Sequence, residues 1–234
     1  MTRPAGFAFE ALGDHLAIAL PGGTALFTTR RGGVSEGPFA SLNLGLWTDD
    51  DAERVRANRS RIELLAGGRL AQARQVHGTD VVEANPDAVV EADGQVTAQP
   101  GVAAMALTAD CLPIALVATE GVGMLHAGWR GLANGVIAKG VDALRGLGAE
   151  RIAAAIGPGA GPCCYEVGAE VHAAFGTSGR TVDLKAIARE RLEQAGVAVV
   201  HDCGLCTVHD AERFFSHRRD SGVTGRQAGV AWRS

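Results

Sequence analysis

Three residues with metal-binding side chains stand in short segments that contain turn-forming glycine or proline. They are His77 in QVHGTD, Cys111 in TADCLPIAL and His126 in MLHAGWRG. Histidine and cysteine are good zinc ligands, and three protein ligands with an open fourth position form the catalytic zinc arrangement. All three lie at or near the ends of predicted strands, from which a rigid scaffold can aim side chains into one cleft. One catalytic transition-metal site, with zinc as the expected ion, is therefore the first hypothesis for these residues.

The three residues are far apart in sequence, and their spacing alone leaves other interpretations open. Cys111 before an apolar strand is often a buried small hydrophobe, His77 fits a bend, and His126 fits a satisfied core histidine. A cysteine hydrolase without metal is a second functional hypothesis. In it Cys111 is the nucleophile, His126 the base, and Asp110 or another polar group orients the base.

Further polar residues near these segments are candidates for substrate binding. In TRRGGVS, Arg30 beside two glycines can grip a phosphate, or be a solvated surface arginine. Asn43 in SLNLG can contact a base or ribose, or close an Asx-turn. Asp110 can orient a metal-binding histidine by a hydrogen bond without itself binding the metal, or it can serve as a structural hydrogen-bond acceptor. Arg130, where a helix is predicted to begin, suits an anion site or a structural ion pair.

The other cysteines form two pairs in the sequence. Cys163 and Cys164 are adjacent, and we expect their side chains to diverge, one into the core and one towards the site. Cys203 and Cys206 have the C-x-x-C spacing of redox and zinc motifs, but no second C-x-x-C accompanies them. We therefore interpret this spacing as a coincidence.

Composition excludes several classes of protein. The formal net charge of −4 and the absence of a basic patch give no reason to expect a nucleic-acid or anionic-membrane partner. The apolar runs are too short to span a membrane, and the start of the chain lacks the order of a signal peptide. Five cysteines in 234 residues do not suggest a secreted disulfide framework. We expect a cytoplasmic protein, as a monomer or homodimer.

Hydrophobic periodicity predicts more strands than helices, without a strict βαβ alternation. This favours an α+β fold with a mixed β-sheet core, in a single domain over residues 1–234. Asp49–Asp51 are predicted to cap a helix ending near Ala66. A long helix is predicted over Gly131–Leu147, and the C-terminal SGVTGRQAGVAWR is predicted to be a final hairpin or edge strand. Other predicted strands are His15–Leu20, Thr24–Thr28, Ala71–Val76, Val81–Ala84, Ala103–Leu107, Leu112–Val117, Val122–His126, Arg151–Ile156 and Val197–Val200, and other predicted helices are Gly168–Phe175 and Asp183–Gln194.

Taken together, the segments from about Thr29 to Trp232 resemble the YfiH-type family, whose members carry the names polyphenol oxidase, laccase-domain protein and purine nucleoside phosphorylase. The matching pieces, in the family's order, are TRRGGVS, SLNLG, QVHGTDV, ADGQVT, LTADCLPI, HAGWRGL, IGPGAGPCCYEVG and CTVHDAERFFSHRRDSGVTGRQAGVAW. The family usually has tyrosine where this chain has His217. The resemblance implies a β-sandwich core flanked by helices, and zinc or copper bound by His77, Cys111 and His126.

The resemblance also implies a chemistry. It implies phosphorolysis of adenosine, inosine and S-methyl-5′-thioadenosine, with adenosine deamination as a second activity and Arg30 as a phosphate contact. Purine nucleosides and phosphate are then the expected partners. The third hypothesis, copper-dependent phenol oxidation, ranks last because multicopper sites need a histidine-rich ligand set, and this chain has seven histidines and no His-x-His motif.

Overall fold

The structure, a computed structural model, describes residues 8–234. The strands are β1 (Glu10–Leu12), β2 (His15–Leu20), β3 (Gly23–Phe27), β4 (Arg69–Gln72), β5 (Val81–Glu83), β6 (Gly94–Thr97), β7 (Val102–Thr108), β8 (Leu112–Val117), β9 (Val122–Ala127), β10 (Ala153–Ile156), β11 (Val199–Asp202) and β12 (Gln227–Arg233). The helices are α1 (Ala52–Ala66), α2 (Trp129–Asn134), α3 (Val136–Gly146), α4 (Ala169–Phe175) and α5 (Leu184–Gln194), with a 3-10 turn at Gly37–Phe39.

The strands form two six-stranded mixed sheets. The first has the order β1-β2-β3-β12-β7-β4, and the second has the order β11-β10-β8-β9-β6-β5. Most neighbours are antiparallel, but β4 with β7, β5 with β6 and β10 with β11 are parallel. Both sheets are therefore mixed, which confirms the predicted α+β class.

The two sheets pack face to face. Ile18 and Phe27 of the first sheet share one buried cluster with Val117 and Met124 of the second. Small residues let the sheets approach closely. A Cβ added at Gly229 would lie 2.6 Å from the Met124 sulfur, so the side chain of any other residue would force the layers apart.

Helices cover the outer faces of the sandwich. On the first sheet, Ile62 of α1 packs with Met105 in a separate buried cluster. The predicted cap of this helix is confirmed, because the Asp51 carboxylate accepts hydrogen bonds from the backbone amides of Glu53 and Arg54. On the second sheet, Val141 of α3 and Leu192 of α5 pack against the outer face. The helix-flanked sandwich is thus confirmed.

Two predicted elements are wrong. The single helix over Gly131–Leu147 is two helices, because Gly135 has a φ of 95°, in the left-handed region that ends α2 before α3 begins. The C-terminal segment is neither a hairpin nor an edge strand, since β12 lies between β3 and β7. Small residues such as Ala228, Gly229 and Ala231 allow β12 to be buried on both faces.

No helix among residues 8–234 is both long and apolar enough to cross a membrane. The first seven residues, on which part of the signal-peptide prediction depends, lie outside the described residues.

Candidate metal centre and cavity

The structure brings His77, Cys111 and His126 together from three places in the chain. His77 lies in the loop between β4 and β5, Cys111 in the turn between β7 and β8, and His126 in β9. Their donor atoms all lie within 4.8 Å of one another. The Cys111 sulfur is 3.8 Å from His77 Nε2, and the two imidazole rings meet edge to face with centroids 4.8 Å apart.

The backbone around these residues is constrained to point the donors inward. His77 and Asp110 have φ values of 61° and 92°, in the left-handed region that non-glycine residues seldom adopt. A Cβ at Gly128 would lie 2.8 Å from His77 Cδ2 and 3.1 Å from the Cys111 sulfur. Only glycine at this position leaves room for both donors.

Asp93, directly before β6, holds two of the three ligand segments. One of its oxygens accepts from His126 Nδ1 at 2.7 Å and from the His77 amide at 3.0 Å. The other accepts from the Val76 amide at 3.1 Å and the Gly78 amide at 2.6 Å. The bond to Nδ1 leaves Nε2 of His126 as the ring nitrogen available at the centre. Asp93 was not predicted as a site residue; the signal in the sequence was an aspartate in a short ADG segment between the segments of His77 and Cys111.

The charged groups at the centre shift one another's pKa. Burial raises the pKa of the Cys111 thiol, but His126 and then His77 outweigh it and bring the pKa to about 6. Burial lowers the pKa of His126, while Cys111 and Asp93 raise it to a net value of about 9. Burial likewise opposes ionisation of Asp93, but the hydrogen bonds from His126 and Gly78 hold the carboxyl pKa below its ordinary range. In the metal-free protein these shifts favour a thiolate and an imidazolium side by side.

This donor set fits a zinc or copper ion. One thiolate and two imidazoles are ligands that both metals accept, and Asp93 supplies the carboxylate that usually orients a ligating histidine. A metal ion bound here would take the place of the proton that His126 carries in the metal-free pair.

The three donors lie in the wall of a cavity of about 420 Å³. Aromatic rings of Trp47, Trp129 and Tyr165 also line it. The lining also includes three arginines, namely Arg130, Arg218 and Arg226. The cavity therefore combines flat apolar surfaces with fixed positive charge.

Asp110 lines the cavity but orients no histidine. Its carboxylate accepts from the hydroxyls of Thr207 at 2.7 Å and Ser216 at 3.1 Å, and from the Arg218 amide at 2.7 Å. It thus holds the segment that carries Arg218 against the cavity. The orienting role that the sequence offered for Asp110 is filled by Asp93.

Asn43 and Arg30 are not among the residues that line the cavity. Asn43 is fully buried, and its oxygen accepts from the amides of Gly45 at 3.0 Å and Arg226 at 2.8 Å. Its amide group donates to Thr48 and Asp50, so it closes an Asx-turn that supports cavity residues. The structure thus favours the structural alternative for this residue.

Arg30 is likewise engaged elsewhere. Its guanidinium lies 4.6 Å from the centre of the Phe215 ring and donates to the carbonyls of Ala40 and Ala211 at 2.8 and 3.1 Å. Burial and the nearby Arg219 lower its pKa from the ordinary value. The structure places the cavity's positive charge on other arginines.

Arg130 and His217, unlike Asn43 and Arg30, line the cavity. Arg130 is exposed at the start of α2, and among residues 8–234 it makes no hydrogen bond or ion pair, only a stacking contact 4.4 Å from the Trp129 ring. His217, which replaces the usual tyrosine, lines the cavity and is exposed.

The adjacent cysteines Cys163 and Cys164 differ from the prediction. The sulfurs of Cys163 and Cys164 lie 3.2 Å apart, so the prediction that these side chains diverge is wrong. Neither residue lines the cavity.

Comparison with known proteins identifies the class of protein to which this fold and site belong. The family model described as multi-copper polyphenol oxidoreductase laccase matches residues 24–234. Proteins similar to this chain include YfiH of Escherichia coli, named purine nucleoside phosphorylase. The two sequences are 39% identical over 90% of this chain and 94% of the relative. The chain belongs to this YfiH-type family.

Two further proteins show how close the similarity is. Purine nucleoside phosphorylase PA4543 of Pseudomonas aeruginosa is 44% identical over 89% of this chain and 92% of its own length. The crystal structure of NMB0706 from Neisseria meningitidis is 35% identical and matches with a TM-score of 0.88, over 95% of this chain and all of the other. The fold of the family is therefore retained over nearly the whole chain.

Proposed function

We propose that this protein is a metal-dependent purine nucleoside phosphorylase that binds zinc through His77, Cys111 and His126. Its substrates are adenosine, inosine and S-methyl-5′-thioadenosine, and adenosine deamination is a second activity. One observation carries the proposal: three metal-type donors converge in the wall of a cavity, with His126 already oriented by Asp93. The names of the relatives support the same reaction class.

The cavity has the size and lining that a nucleoside requires. A volume of about 420 Å³ lies within the range of small-molecule sites. Trp129 and Tyr165 offer ring faces against which a purine can stack. The Tyr165 phenol, whose pKa is raised to about 12 first by burial and then by the Cys111 charge, stays protonated and can donate a hydrogen bond to the base.

Phosphate is the second substrate, and the arginines can bind it. Within residues 8–234 the Arg130 guanidinium has no hydrogen-bond or ion-pair partner and stacks on Trp129 at the edge of the cavity. Arg218 is fixed by the hydrogen bond from its backbone amide to Asp110 and by stacking 5.0 Å from the Tyr165 ring. In phosphorolysis a phosphate oxygen bonds to the anomeric carbon of the ribose while the bond from that carbon to the purine nitrogen breaks. The base leaves with the bonding electrons and takes up a proton. Positioned arginines favour this by holding phosphate in line for attack.

Zinc bound at the three donors would lower the pKa of a water molecule towards neutrality, which is the chemistry that hydrolytic deamination needs. The residues of the chain hold that position open. Asp93 fixes the tautomer of His126, and Gly128 leaves the space beside His77 and Cys111 unfilled.

Product analysis from adenosine tests the proposal. Protein of known metal content is incubated with and without phosphate, and adenine and inosine are separated by chromatography. We expect phosphate-dependent adenine, together with inosine that needs no phosphate. Both are expected to be lost in Cys111→Ala, while Cys203→Ala, which alters a cysteine outside the cavity, retains them. If metal-loaded wild type formed neither product, the nucleoside proposal would be refuted.

A cysteine hydrolase is the second candidate, and a specific geometry favours it. Cys111, His126 and Asp93 form a nucleophile, base and orienting carboxylate, with a 2.7 Å bond between the last two and a Cys111 pKa near 6. Such an enzyme does not need His77 as a metal donor. It would remain active in the presence of chelator, whereas the metal enzyme would not.

Copper-dependent phenol oxidation agrees with the description of the family model, but it fits the site less well than zinc chemistry does. The described residues form two groups of metal-type ligands, with two histidines in one and one in the other. A multicopper cluster requires a richer set of histidines.

A further inference from the structure

A second group of metal-binding side chains lies outside the cavity. The donor atoms of Cys163, Cys164 and His209 are within 4.8 Å of one another. Cys163 and His209 are exposed and Cys164 is half-buried, so a dissolved ion can reach the group. None of these residues has a role in the nucleoside chemistry proposed above.

Cys206 lies beside this group, although it is not in the set whose donor atoms are all within 4.8 Å of one another. Its sulfur accepts a hydrogen bond from the Gly161 amide at 3.2 Å. A Cβ at Gly161 would lie 3.4 Å from the Cys206 sulfur and 3.5 Å from that of Cys163, so both sulfurs border the small space that this glycine leaves open. Cys206 also affects Cys164: the pKa of the Cys164 thiol is raised by Cys163, by burial and then by Cys206.

We propose that Cys163, Cys164, Cys206 and His209 form a second metal site, which binds one thiophilic d10 cation such as zinc. Three sulfurs and one imidazole are the Cys3His ligand set of closed structural zinc sites. Sulfur-rich sites select zinc or copper(I) over magnesium, calcium or manganese, which prefer oxygen. The site is therefore structural in its chemistry, unlike the three-donor centre in the cavity.

The position of this group gives the ion a mechanical role. Cys164 directly precedes Tyr165, which lines the cavity. Cys206 directly precedes Thr207, whose hydroxyl donates to Asp110 at 2.7 Å. An ion that joins the two segments would fix one side of the cavity and would stabilise the folded chain, because the unfolded chain offers no preformed site.

Counting bound zinc in matched variants tests the proposal. Protein stripped with chelator and kept reduced is reloaded with zinc, freed of excess and analysed by mass spectrometry of the metal. We expect about two ions per chain in wild type and about one in Cys111→Ser, where the second site remains. We expect about one in Cys163→Ser/His209→Gln and again about two in Cys203→Ser, whose cysteine belongs to neither ligand group.

A spectroscopic measurement separates this site from loss of folding. Cadmium added to Cys111→Ser should give thiolate-to-metal charge-transfer absorption that disappears when Cys163→Ser/His209→Gln is added to the same chain. Both substituted residues are exposed, and circular dichroism checks that the fold persists. An equal zinc count in wild type and Cys163→Ser/His209→Gln would overturn the proposal. So would oxidation of Cys163 and Cys164 to a disulfide in a chain that binds zinc only at the cavity. In either case the nucleoside proposal would stand.

Discussion

Replacing Asp93 with asparagine tests whether this carboxylate organises the metal centre. Each oxygen of Asp93 accepts two hydrogen bonds, one pair including His126 Nδ1 and the other the Gly78 amide. Asparagine keeps the shape but has one oxygen only. In either orientation its NH2 group faces two of the four donors. In one orientation those donors include Nδ1 of His126, and the asparagine can then no longer hold the proton on that nitrogen.

The expected size of the effect follows from these contacts. An unpaired buried donor costs about 1–3 kcal/mol. Because the backbone amides here are only partly buried, two unpaired donors should lower the free energy of unfolding by about 2–4 kcal/mol. Loss of the carboxylate that orients a ligating histidine typically weakens metal affinity by about 10–100-fold. Asp93→Asn should therefore show both a less stable apoprotein and a weaker metal site.

Zinc affinity is measured by competition with a chromophoric chelator, and stability by urea unfolding of the apoprotein. Asp220→Asn is the matched control, because the Asp220 carboxylate accepts from Arg219 Nε at 2.8 Å and the Thr224 hydroxyl at 2.9 Å but touches no ligand. It should lose stability and keep its zinc affinity. If Asp93→Asn also kept its zinc affinity to within about threefold, Asp93 would not act as an orienting group.

Three further predictions concern the ligand space, phosphate and pH. Gly128→Ala should weaken zinc binding in the same chelator assay by crowding two of the donors, whereas Gly146→Ala, with nothing within 4 Å of the added carbon, should not. Arg130→Gln should raise the KM for phosphate by about 10–100-fold in steady-state kinetics, since one charge-assisted contact is lost, and should leave phosphate-independent deamination unchanged. Burial holds the pKa of His15 below its ordinary 6.5, and its Nδ1 accepts from the Thr29 amide. The unfolded chain therefore takes up the proton first as the pH falls. The free energy of unfolding should drop between about pH 7 and 5 in urea titrations, and less so in His15→Asn.

Local signals were sufficient for the elements that have strong periodicity or caps. Strand β8 alternates Leu112, Ile114 and Leu116 towards the helices with Ala115 and Val117 towards the other sheet. Both sides are apolar, so it appears in the sequence as one apolar run and was predicted with its observed bounds. Helix α1 was equally accessible because Asp51 caps its start.

Elements stabilised by distant partners were not accessible in this way. Strand β6 was missed because its buried Gln95 looks like a surface residue. In the fold its side chain donates to the carbonyls of Ala71 and Met105 at 3.0 and 2.9 Å. Strand β12 was predicted at a sheet edge, but it lies inside the sheet. Its neighbours β3 and β7 come from the other end and the middle of the chain, so no local signal indicates them.

The site shows the same division. The types of the three donors could be chosen from the sequence, but only the resemblance to a family argued for their convergence. The polar supports were harder to assign because an aspartate beside a ligand is an obvious candidate. Asp110 adjoins Cys111 in sequence, yet its bonds go to Thr207, Ser216 and Arg218, while Asp93 contacts the histidine.

Metal dependence of catalysis is tested by the rate of phosphate-dependent adenine release as zinc is added back to chelator-stripped protein. We expect negligible turnover without metal and recovery that saturates as the site of His77, Cys111 and His126 fills. We expect no recovery in Cys111→Ser at any zinc concentration. Full turnover by the stripped wild type, with chelator present throughout, would refute metal dependence and favour catalysis by the Cys111 thiolate alone.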